Sequence, residues 1–259
     1  MTCTHFFAAI KFSSPHLSGY LLQSSPADAQ ISRDIYRTFS DHPFFTHKPV
    51  QRCIGRILHA WSLFNPSVSY VQGHNCVAAL FLMVTLNEEL AFKCFIAFLA
   101  HPIDGMQTFY ADGLKVLLQH ASHIDAMLRS QCPALHAHLA KHGLDPLAYV
   151  TPFYLTGFTH HLALESCVFI FDFLLMSEID HCSLPPIDAA NPKDAALCPS
   201  RISSRITHLT LALMAHQEKD LIKLKSVEDL FKTLQKLHCL KDERSRKKVF
   251  QRALKKAVT

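Results

Sequence analysis

An arginine and a glutamine in two short segments are the side chains of this sequence best suited to chemistry at a phosphate group. Arg37 ends the segment that begins at Ile31, and Gln72 lies in the segment Tyr70-Val-Gln72-Gly73. A guanidinium beside a transferring phosphoryl group neutralises the charge that develops on its oxygens, and a glutamine side chain orients the attacking water. Together they would supply both groups that assist hydrolysis at a phosphate: a cation for its oxygens and an amide for the attacking water.

Each of these residues also has an ordinary structural interpretation. Asp34 and Arg37 are three residues apart, so on a helix they share one face and form an i, i+3 ion pair, which contributes about 0 to 1 kcal/mol. Gln72 precedes a predicted helix, where a polar side chain commonly caps the first turn. Spacing alone does not separate these interpretations from the chemical one.

Composition and periodicity predict an all-α protein. Of the 259 residues, 49% are hydrophobic, which is enough for a substantial core. Glycine accounts for only 7 residues, against an average usage of about 7%. Apolar residues recur at helical spacing along most of the chain.

The first predicted helices position the two candidate segments. One helix begins at Ser25-Pro26, runs through Arg37 and ends before Pro43, because serine caps and proline favours the first turn. A second spans about 51–64 and stops at Asn65-Pro66. Helices at about 73–86 and 88–100 follow, which places Gln72 at a junction between loop and helix. Further helices are predicted at 108–129, 133–142, 151–160, 163–177, 202–216, 218–224, 226–238 and 242–257, with a surface loop at 183–199.

Several classes of protein are excluded by the sequence. The longest apolar stretch, 76–86, is shorter than the roughly 20 residues that a membrane-spanning helix needs, so no such helix is predicted. The N-terminus lacks the basic and apolar regions of a secretory signal. Nine cysteines occur without any C-x-x-C pair, which is typical of buried thiols in a reducing compartment. We therefore expect a cytoplasmic protein.

The positive charge is concentrated at the C-terminus. Residues 241–259 hold eight basic and two acidic residues, a sum of +6, so the rest of the chain sums to −1 of the total +5. A nucleic-acid partner is therefore not expected. Residues 239–259 read as a basic amphipathic helix, with two interpretations left open: contact with an anionic membrane surface, or packing of the apolar edge on the domain. That edge contains Val249, Phe250, Ala253, Leu254 and Ala257.

Metal and hydrolase chemistry lack support. His136, His138 and His142 lie close to Cys132, but no carboxylate or second cysteine stands at a ligand-like spacing, so no metal site is expected. No G-x-S-x-G segment occurs, so a serine hydrolase triad is not indicated either.

Three ordered motifs carry a family resemblance. They read Ile31-x-x-Asp34-x-x-Arg37-Thr-Phe, then Arg56-Ile-Leu-x-Ala-x-Ser62, then Asn65-Pro-x-Val-x-Tyr70-x-Gln72-Gly-x-Asn75. In order and spacing they closely resemble the TBC domain of Rab GTPase-activating proteins. Similar residues continue through Phe171-Asp172, so the resemblance covers roughly residues 20–235.

The resemblance implies an all-helical, two-lobed fold that binds a Rab GTPase in its GTP form. Arg37 would be the arginine finger and Gln72 the glutamine finger, while GTP and Mg²⁺ would belong to the partner and the chain would need no cofactor of its own. Such a protein activates another enzyme, regulates vesicle trafficking, and works in the cytoplasm or peripherally on endomembranes. The supporting and partner-binding residues would be Ile31, Asp34, Tyr70, Gly73 and Asn75, with Asp34 anchoring Arg37, Tyr70 packing the glutamine loop and Gly73 allowing close approach of the partner.

The expected organisation has three parts. Residues 1–24 form a weakly ordered lead-in or a divergent first helix, residues 25–238 form the TBC-type domain with lobes meeting near residue 150, and residues 239–259 form the basic helix. Relatives usually have cysteine at Val71, methionine at His74 and arginine at Phe169. The alternative to activation is therefore a TBC-like scaffold that binds Rab GTPases without accelerating hydrolysis.

Overall fold

The computed structural model describes residues 15–100, 106–110, 115–159, 162, 164–175, 201–236 and 242–257. These residues form α-helices and two short 3₁₀ helices, Leu17–Tyr20 and Gln107–Phe109, and no strand occurs among them. The predicted all-α class is confirmed. The loop predicted at 183–199 lies outside the described residues.

The chain divides into two compact units, residues 1–113 and 114–259. The boundary follows Gly113. The sequence suggested a boundary near residue 150, and the structure has none there. The reason is that residue 150 lies inside a helix, Pro146–Thr156, which packs against the helix Lys115–Gln131 of the same unit. No break in packing separates these two helices.

In the described part of the first unit the chain forms five α-helices. They are α1 (Asp28–Ile35), α2 (Pro43–Thr46), α3 (Lys48–Phe64), α4 (His74–Thr85) and α5 (Glu88–Ala100). Helix α3 begins three residues earlier than predicted, because Pro49 suits its first turn. It ends at Phe64, because Pro66 disfavours helical backbone for the preceding residue, Asn65. Helix α5 has the predicted bounds.

The core of the first unit lies among helices α3, α4 and α5, which pack on one another. Trp61 of α3 is fully buried there, with its ring edge-on to those of His74 and Phe95. Helix α4 is apolar nearly all round, as expected for a helix surrounded by neighbours. Trp61 of this core also hydrogen-bonds the loop that carries Gln72.

Residues 15–24, which the sequence assigned to the lead-in, pack on this core. Leu17 is buried and its backbone N–H donates to Glu89 at 3.0 Å. The Tyr20 ring lies edge-on to Phe64 and Phe92. Residues 1–14 of the predicted lead-in lie outside the described residues.

The second unit is built around one long helix. Its helices are α6 (Lys115–Gln131), α7 (Pro133–Lys141), α8 (Pro146–Thr156), α9 (Leu164–Leu175), α10 (Arg201–Leu221), α11 (Val227–Lys236) and α12 (Glu243–Ala257). Helix α10 packs against α6, α8, α9, α11 and α12. The sequence predicted two helices in this stretch, 202–216 and 218–224. The structure has a single helix, because no glycine or proline interrupts it.

Helix α12 corresponds to the predicted basic C-terminal helix. Val249, Phe250 and Ala253 are buried, and α12 packs on α10. The Phe250 ring lies edge-on to Phe169 and Phe173 of α9. Of the two interpretations left open, the structure shows the described part of the apolar edge packed on the second unit.

Candidate functional site

Arg37 lies in a turn just beyond helix α1. The helix ends at Ile35, and the Arg37 N–H donates to the Asp34 carbonyl at 3.2 Å, a three-residue turn rather than a helical bond. The predicted helix through Arg37 therefore extends at least two residues too far at its C-terminal end. Nη2 of Arg37 lies 2.7 Å from Oδ1 of Asp34, and the arginine side chain is 54% exposed while that of Asp34 is only 7% exposed. The predicted ion pair is formed, with a buried acid and an accessible base.

The second oxygen of Asp34 connects this turn to the glutamine loop. The Tyr70 hydroxyl donates to Oδ2 of Asp34 at 2.7 Å. Burial of the ring, together with the hydrogen bond to Asp34, raises the pKa of Tyr70 well above its usual value. Tyr70 therefore keeps its proton and acts as the donor. A buried carboxylate needs such partners, and Asp34 has both a cation and a hydroxyl.

Asn75 makes a second connection between the same two segments. Its Nδ2 donates to Oγ1 of Thr38 at 2.7 Å, and the Thr38 hydroxyl donates in turn to the Asp34 carbonyl at 2.8 Å. Its Oδ1 accepts from the Gly73 N–H at 3.1 Å and lies 3.3 Å from the Tyr70 hydroxyl oxygen. We name Asp34, Thr38, Tyr70 and Asn75 the buried polar network.

Gln72 is exposed at the end of a well-held loop. The Trp61 indole N–H donates to the Ser69 carbonyl at 2.7 Å, and Oδ1 of Asn65 accepts from the Val68 N–H at 3.3 Å. The Gln72 side chain makes no hydrogen bond to any residue that the structure describes. The backbone is held while the amide remains available.

Gly73 has a backbone conformation that only glycine adopts readily. Its φ is 110° and its ψ is −29°, immediately before α4 begins. A β carbon would be strained at this φ. The sequence assigned Gly73 to close approach of a partner; in the structure, this conformation also turns the chain from the glutamine loop into α4.

His74 lies beneath the loop without exposure to solvent. Nδ1 accepts from the Val71 N–H at 3.2 Å, which leaves the proton on Nε2, and Nε2 has no hydrogen-bond partner. Its ring lies edge-on to Tyr110, with 4.5 Å between the centroids. Burial lowers the pKa of His74 to about 3, so the imidazole is neutral at ordinary pH.

Ile31 serves the core of the first unit. It is buried on α1, and α1 packs against α3. The sequence grouped Ile31 with the supporting and partner-binding residues; its burial fits a supporting role. Close packing of the two helices depends on Gly55, where a β carbon would lie 3.0 Å from Cδ1 of Ile35.

Two members of this site were not singled out from the sequence. Thr38 appeared only as a motif letter after Arg37, and its role depends on a hydrogen bond to a residue 37 positions away. His74 was noted only as a departure from the family pattern, and no local signal shows that its ring would be fully buried.

Two of the three histidines considered as metal ligands have other polar partners. Nε2 of His136 lies 3.1 Å from Asp125, and Nε2 of His138 lies 2.9 Å from the Leu224 carbonyl oxygen. Among the described ranges no group of three or more histidine, cysteine, aspartate or glutamate residues is placed to hold a metal ion. In the same ranges, every helix is too short or too polar to cross a bilayer.

Comparisons with known proteins agree with the resemblance seen in the motifs. The model of the Rab-GTPase-TBC domain family matches residues 10–187. TBC1 domain family member whacked of Drosophila melanogaster is 30% identical over 175 residues, covering 66% of this chain and 47% of that protein. Rab GTPase-activating protein tbc-11 of Caenorhabditis elegans is 31% identical over 176 residues, covering 66% of this chain and 18% of that protein.

The fold is shared with a solved structure, the Ypt/Rab-GAP domain of Gyp1p. The TM-score is 0.72 at 16% identity, covering 98% of this chain and 79% of that chain. The chain belongs to the Rab-GTPase-TBC domain family. It spans less than half the length of the two relatives named above.

Proposed function

We propose that this chain activates GTP hydrolysis by a Rab family small GTPase, to which it supplies Arg37 and Gln72. Membership of the family supports the class of partner. The observation that carries the proposal for this chain is the buried polar network, because it joins the Arg37 turn to the Gln72 loop through Asp34 and Asn75. Both proposed catalytic side chains are left exposed.

Arg37 can remain paired with Asp34 while it contacts a phosphate. A guanidinium has five N–H donors, and the ion pair occupies the Nη2 end of the group. The remaining donors are available to oxygens of the γ-phosphate, where negative charge develops during transfer. Asp34 therefore acts as a positioning residue. It holds the guanidinium and leaves the other N–H donors able to bind phosphate oxygens.

Gln72 would orient the attacking water by means of its exposed amide. The carbonyl oxygen accepts a hydrogen bond from the water, while the rigid loop limits the side chain to positions near the partner's nucleotide. GTP and Mg²⁺ are bound by the GTPase in this proposal, so the chain contributes only positioning and electrostatic stabilisation.

Single-turnover GTP hydrolysis by a panel of Rab GTPases tests the proposal. We expect Arg37→Ala to reduce stimulated hydrolysis by about 10³- to 10⁵-fold, the range of arginine fingers, equivalent to about 4 to 7 kcal/mol of barrier. Gln72→Ala should also abolish most stimulation. Arg33→Ala is the matched control, because Arg33 is an exposed arginine in the last turn of α1.

The scaffold alternative gives a different result in the same assay. A Rab in its GTP form would bind the parent protein with no increase in hydrolysis, and Arg37→Ala would leave binding unchanged. Substitutions relative to the usual family pattern at Val71 and His74, next to Gln72, are the observation that keeps this alternative in the test.

A further inference from the structure

A cleft beside the Arg37 turn has no role in the proposed reaction. It has a volume of ≈ 290 Å³ and lies where helix α1 meets the start of α3. Its lining includes Tyr36, Lys48, Arg52 and Gly55. Tyr36 is 71% exposed, so its ring is accessible to a partner.

The cleft carries positive charge without a counter-charge. Lys48 and Arg52 are exposed one helical turn apart, and neither forms an ion pair with any residue that the structure describes. Among the described residues, none of those that line the cleft is acidic. Tyrosine and arginine together are the residue types enriched where interfaces concentrate their binding energy.

The floor of the cleft depends on close helix packing. Gly55 of α3 lies so near α1 that an added β carbon would be 3.0 Å from Cδ1 of Ile35. The missing side chain leaves space between the basic residues of α3 and the aromatic ring of Tyr36. The floor of the cleft is therefore set by the packing of α1 on α3.

The position of Tyr36 relates the cleft to the proposed partner. Tyr36 directly precedes Arg37, so their Cα atoms lie about 3.8 Å apart. A protein that reaches Arg37 through an interface of ordinary size, about 800 Å² on each side, also covers Tyr36. The occupant of the cleft would thus be part of the same GTPase that receives Arg37.

We infer that this cleft, which we name the basic cleft, receives a carboxylate-bearing segment of the partner GTPase and selects among GTPases by that charge. The inference rests on the proposed function and adds the chemistry of partner choice to it. Lys48 and Arg52 attract the acidic segment, and Tyr36 packs against its aliphatic part. A GTPase with a basic segment at this place would be rejected, since like charges would meet without solvent.

The test uses the double variant Lys48→Glu/Arg52→Glu of the full chain. The matched control is Lys141→Glu/Lys225→Glu, which makes the same change of charge at exposed positions of the second unit that pair with none of the described residues. Melting temperatures of both variants first establish that they fold. Stimulated hydrolysis and direct binding of GTP-loaded Rab proteins are then measured as functions of salt concentration.

We expect the cleft variant to raise KM and the dissociation constant about tenfold or more while kcat at saturation stays near that of the parent. The parent should lose affinity with added salt, and the cleft variant should lose little. Exchanging an acidic residue of the responding Rab for lysine should restore binding to the cleft variant alone. The cleft variant is expected to change KM, whereas Arg37→Ala is expected to lower kcat. Failure of one proposal can therefore be distinguished from failure of the other.

Three results would overturn the inference. The first is a cleft variant with the dissociation constant of the control, whether or not hydrolysis is stimulated. The second is the absence of binding to any Rab by the folded parent. The third is unchanged Rab binding together with lost binding to vesicles of phosphatidylserine and phosphatidylcholine, which would assign the cleft to a membrane.

Discussion

Asp34 is a buried carboxylate that serves both proposed catalytic segments at once. One oxygen holds the Arg37 guanidinium and the other accepts the Tyr70 hydroxyl, each at 2.7 Å. Because the acid is anchored from the glutamine loop, the position of the arginine depends on residues more than thirty positions away. Single atoms of the network should therefore matter for activity even where they do not touch a partner.

Removal of the Tyr70 hydroxyl tests this dependence. Tyr70→Phe keeps the ring and deletes the donor to Asp34, so we expect a loss of about 1 to 2 kcal/mol of unfolding free energy and slower stimulated hydrolysis. Urea denaturation and single-turnover hydrolysis measure the two effects. Tyr20→Phe is the control, because the Tyr20 hydroxyl bonds to none of the described residues. Equal activity of the two variants would contradict the positioning role of Asp34.

Gly73 allows a second test at the level of one backbone angle. We expect Gly73→Ala to cost about 1 to 3 kcal/mol, because an alanine at φ 110° is strained. Gly19→Ala is the matched control, since nothing lies within 4 Å of a β carbon there. Chemical denaturation compares the variants. A loss no larger than that of the control would show that the loop relaxes without cost.

Many residues of this site could be predicted from the sequence, but the hydrogen bonds that join them could not. The motif positions of Asp34, Tyr70 and Asn75 grouped them with Arg37 and Gln72, and the structure brings Asp34, Tyr70 and Asn75 into one network. Thr38 was missed because its hydrogen bond to Asn75 crosses 37 positions of sequence. Periodicity reports which face of a helix is apolar, and it carries no information on such tertiary bonds.

At the scale of elements, helix α1 is shorter than its sequence pattern indicates. The Thr38 hydroxyl donates a hydrogen bond to the Asp34 carbonyl oxygen. The N–H groups of Arg37 and Thr38 donate to the carbonyl oxygens of the residues three positions earlier. Phe39 then has a positive φ of 45°, which ends any helical continuation. A side chain therefore competes with the backbone at this point. The outcome is that Arg37 lies in a turn and not within a helix.

Helix α12 contributes to the stability of the second unit. We expect Phe250→Ala to cost about 3 to 5 kcal/mol, since the buried ring contacts Phe169 and Phe173 of α9. Arg252→Ala on the exposed side of the same helix should change the unfolding free energy by less than about 0.5 kcal/mol. Guanidinium denaturation followed by circular dichroism measures both. Similar stability of the two variants would mean that α12 contributes little.

The packing of α12 also limits the proposal of a peripheral membrane contact. Val249, Phe250 and Ala253 are buried, so they are not available to enter a bilayer while the helix stays docked. Arg244, Lys248 and Arg252 form an exposed stripe at a spacing of four residues. Any membrane contact of the docked helix would therefore be electrostatic and would weaken with added salt.

For the whole molecule, buried histidines make stability depend on pH in both units. Burial lowers the pKa of His74 to about 3 and that of His120 to about 4, where the charge of His123 adds to the effect. The unfolded chain binds these protons near the ordinary histidine pKa of about 6.5. Stability is thus complete above about pH 6.5 and falls as the pH decreases toward the folded-state values.

A methionine in place of His74 should remove part of this dependence. Between pH 7.5 and pH 5, we expect the parent to lose up to about 1.4 kcal/mol more per pH unit than His74→Met, because one fewer proton binds on unfolding. Urea denaturation at each pH measures the difference. His47→Met, at an exposed position, is the control. Parallel curves for the parent and His74→Met would show that His74 does not titrate on unfolding.

The arrangement of the whole chain was harder to predict than its helices. Caps and prolines placed most helix ends within a few residues, since these signals are local. The boundary between units was misplaced because it depends on which helices pack together, and α8 packs on α6. The continuity of α10 was missed for the same reason. The predicted break fell at Gln217, a polar residue that tertiary packing buries within the helix.

Trp61 gives the first unit a spectroscopic reporter of its own. It is the single tryptophan of the sequence, it is fully buried, and its indole N–H bonds to Ser69 in the loop before Gln72. Intrinsic fluorescence excited at the indole band therefore observes this loop without any label. Circular dichroism observes the helices of both units, so coincidence of the two signals during denaturation tells whether the units unfold together.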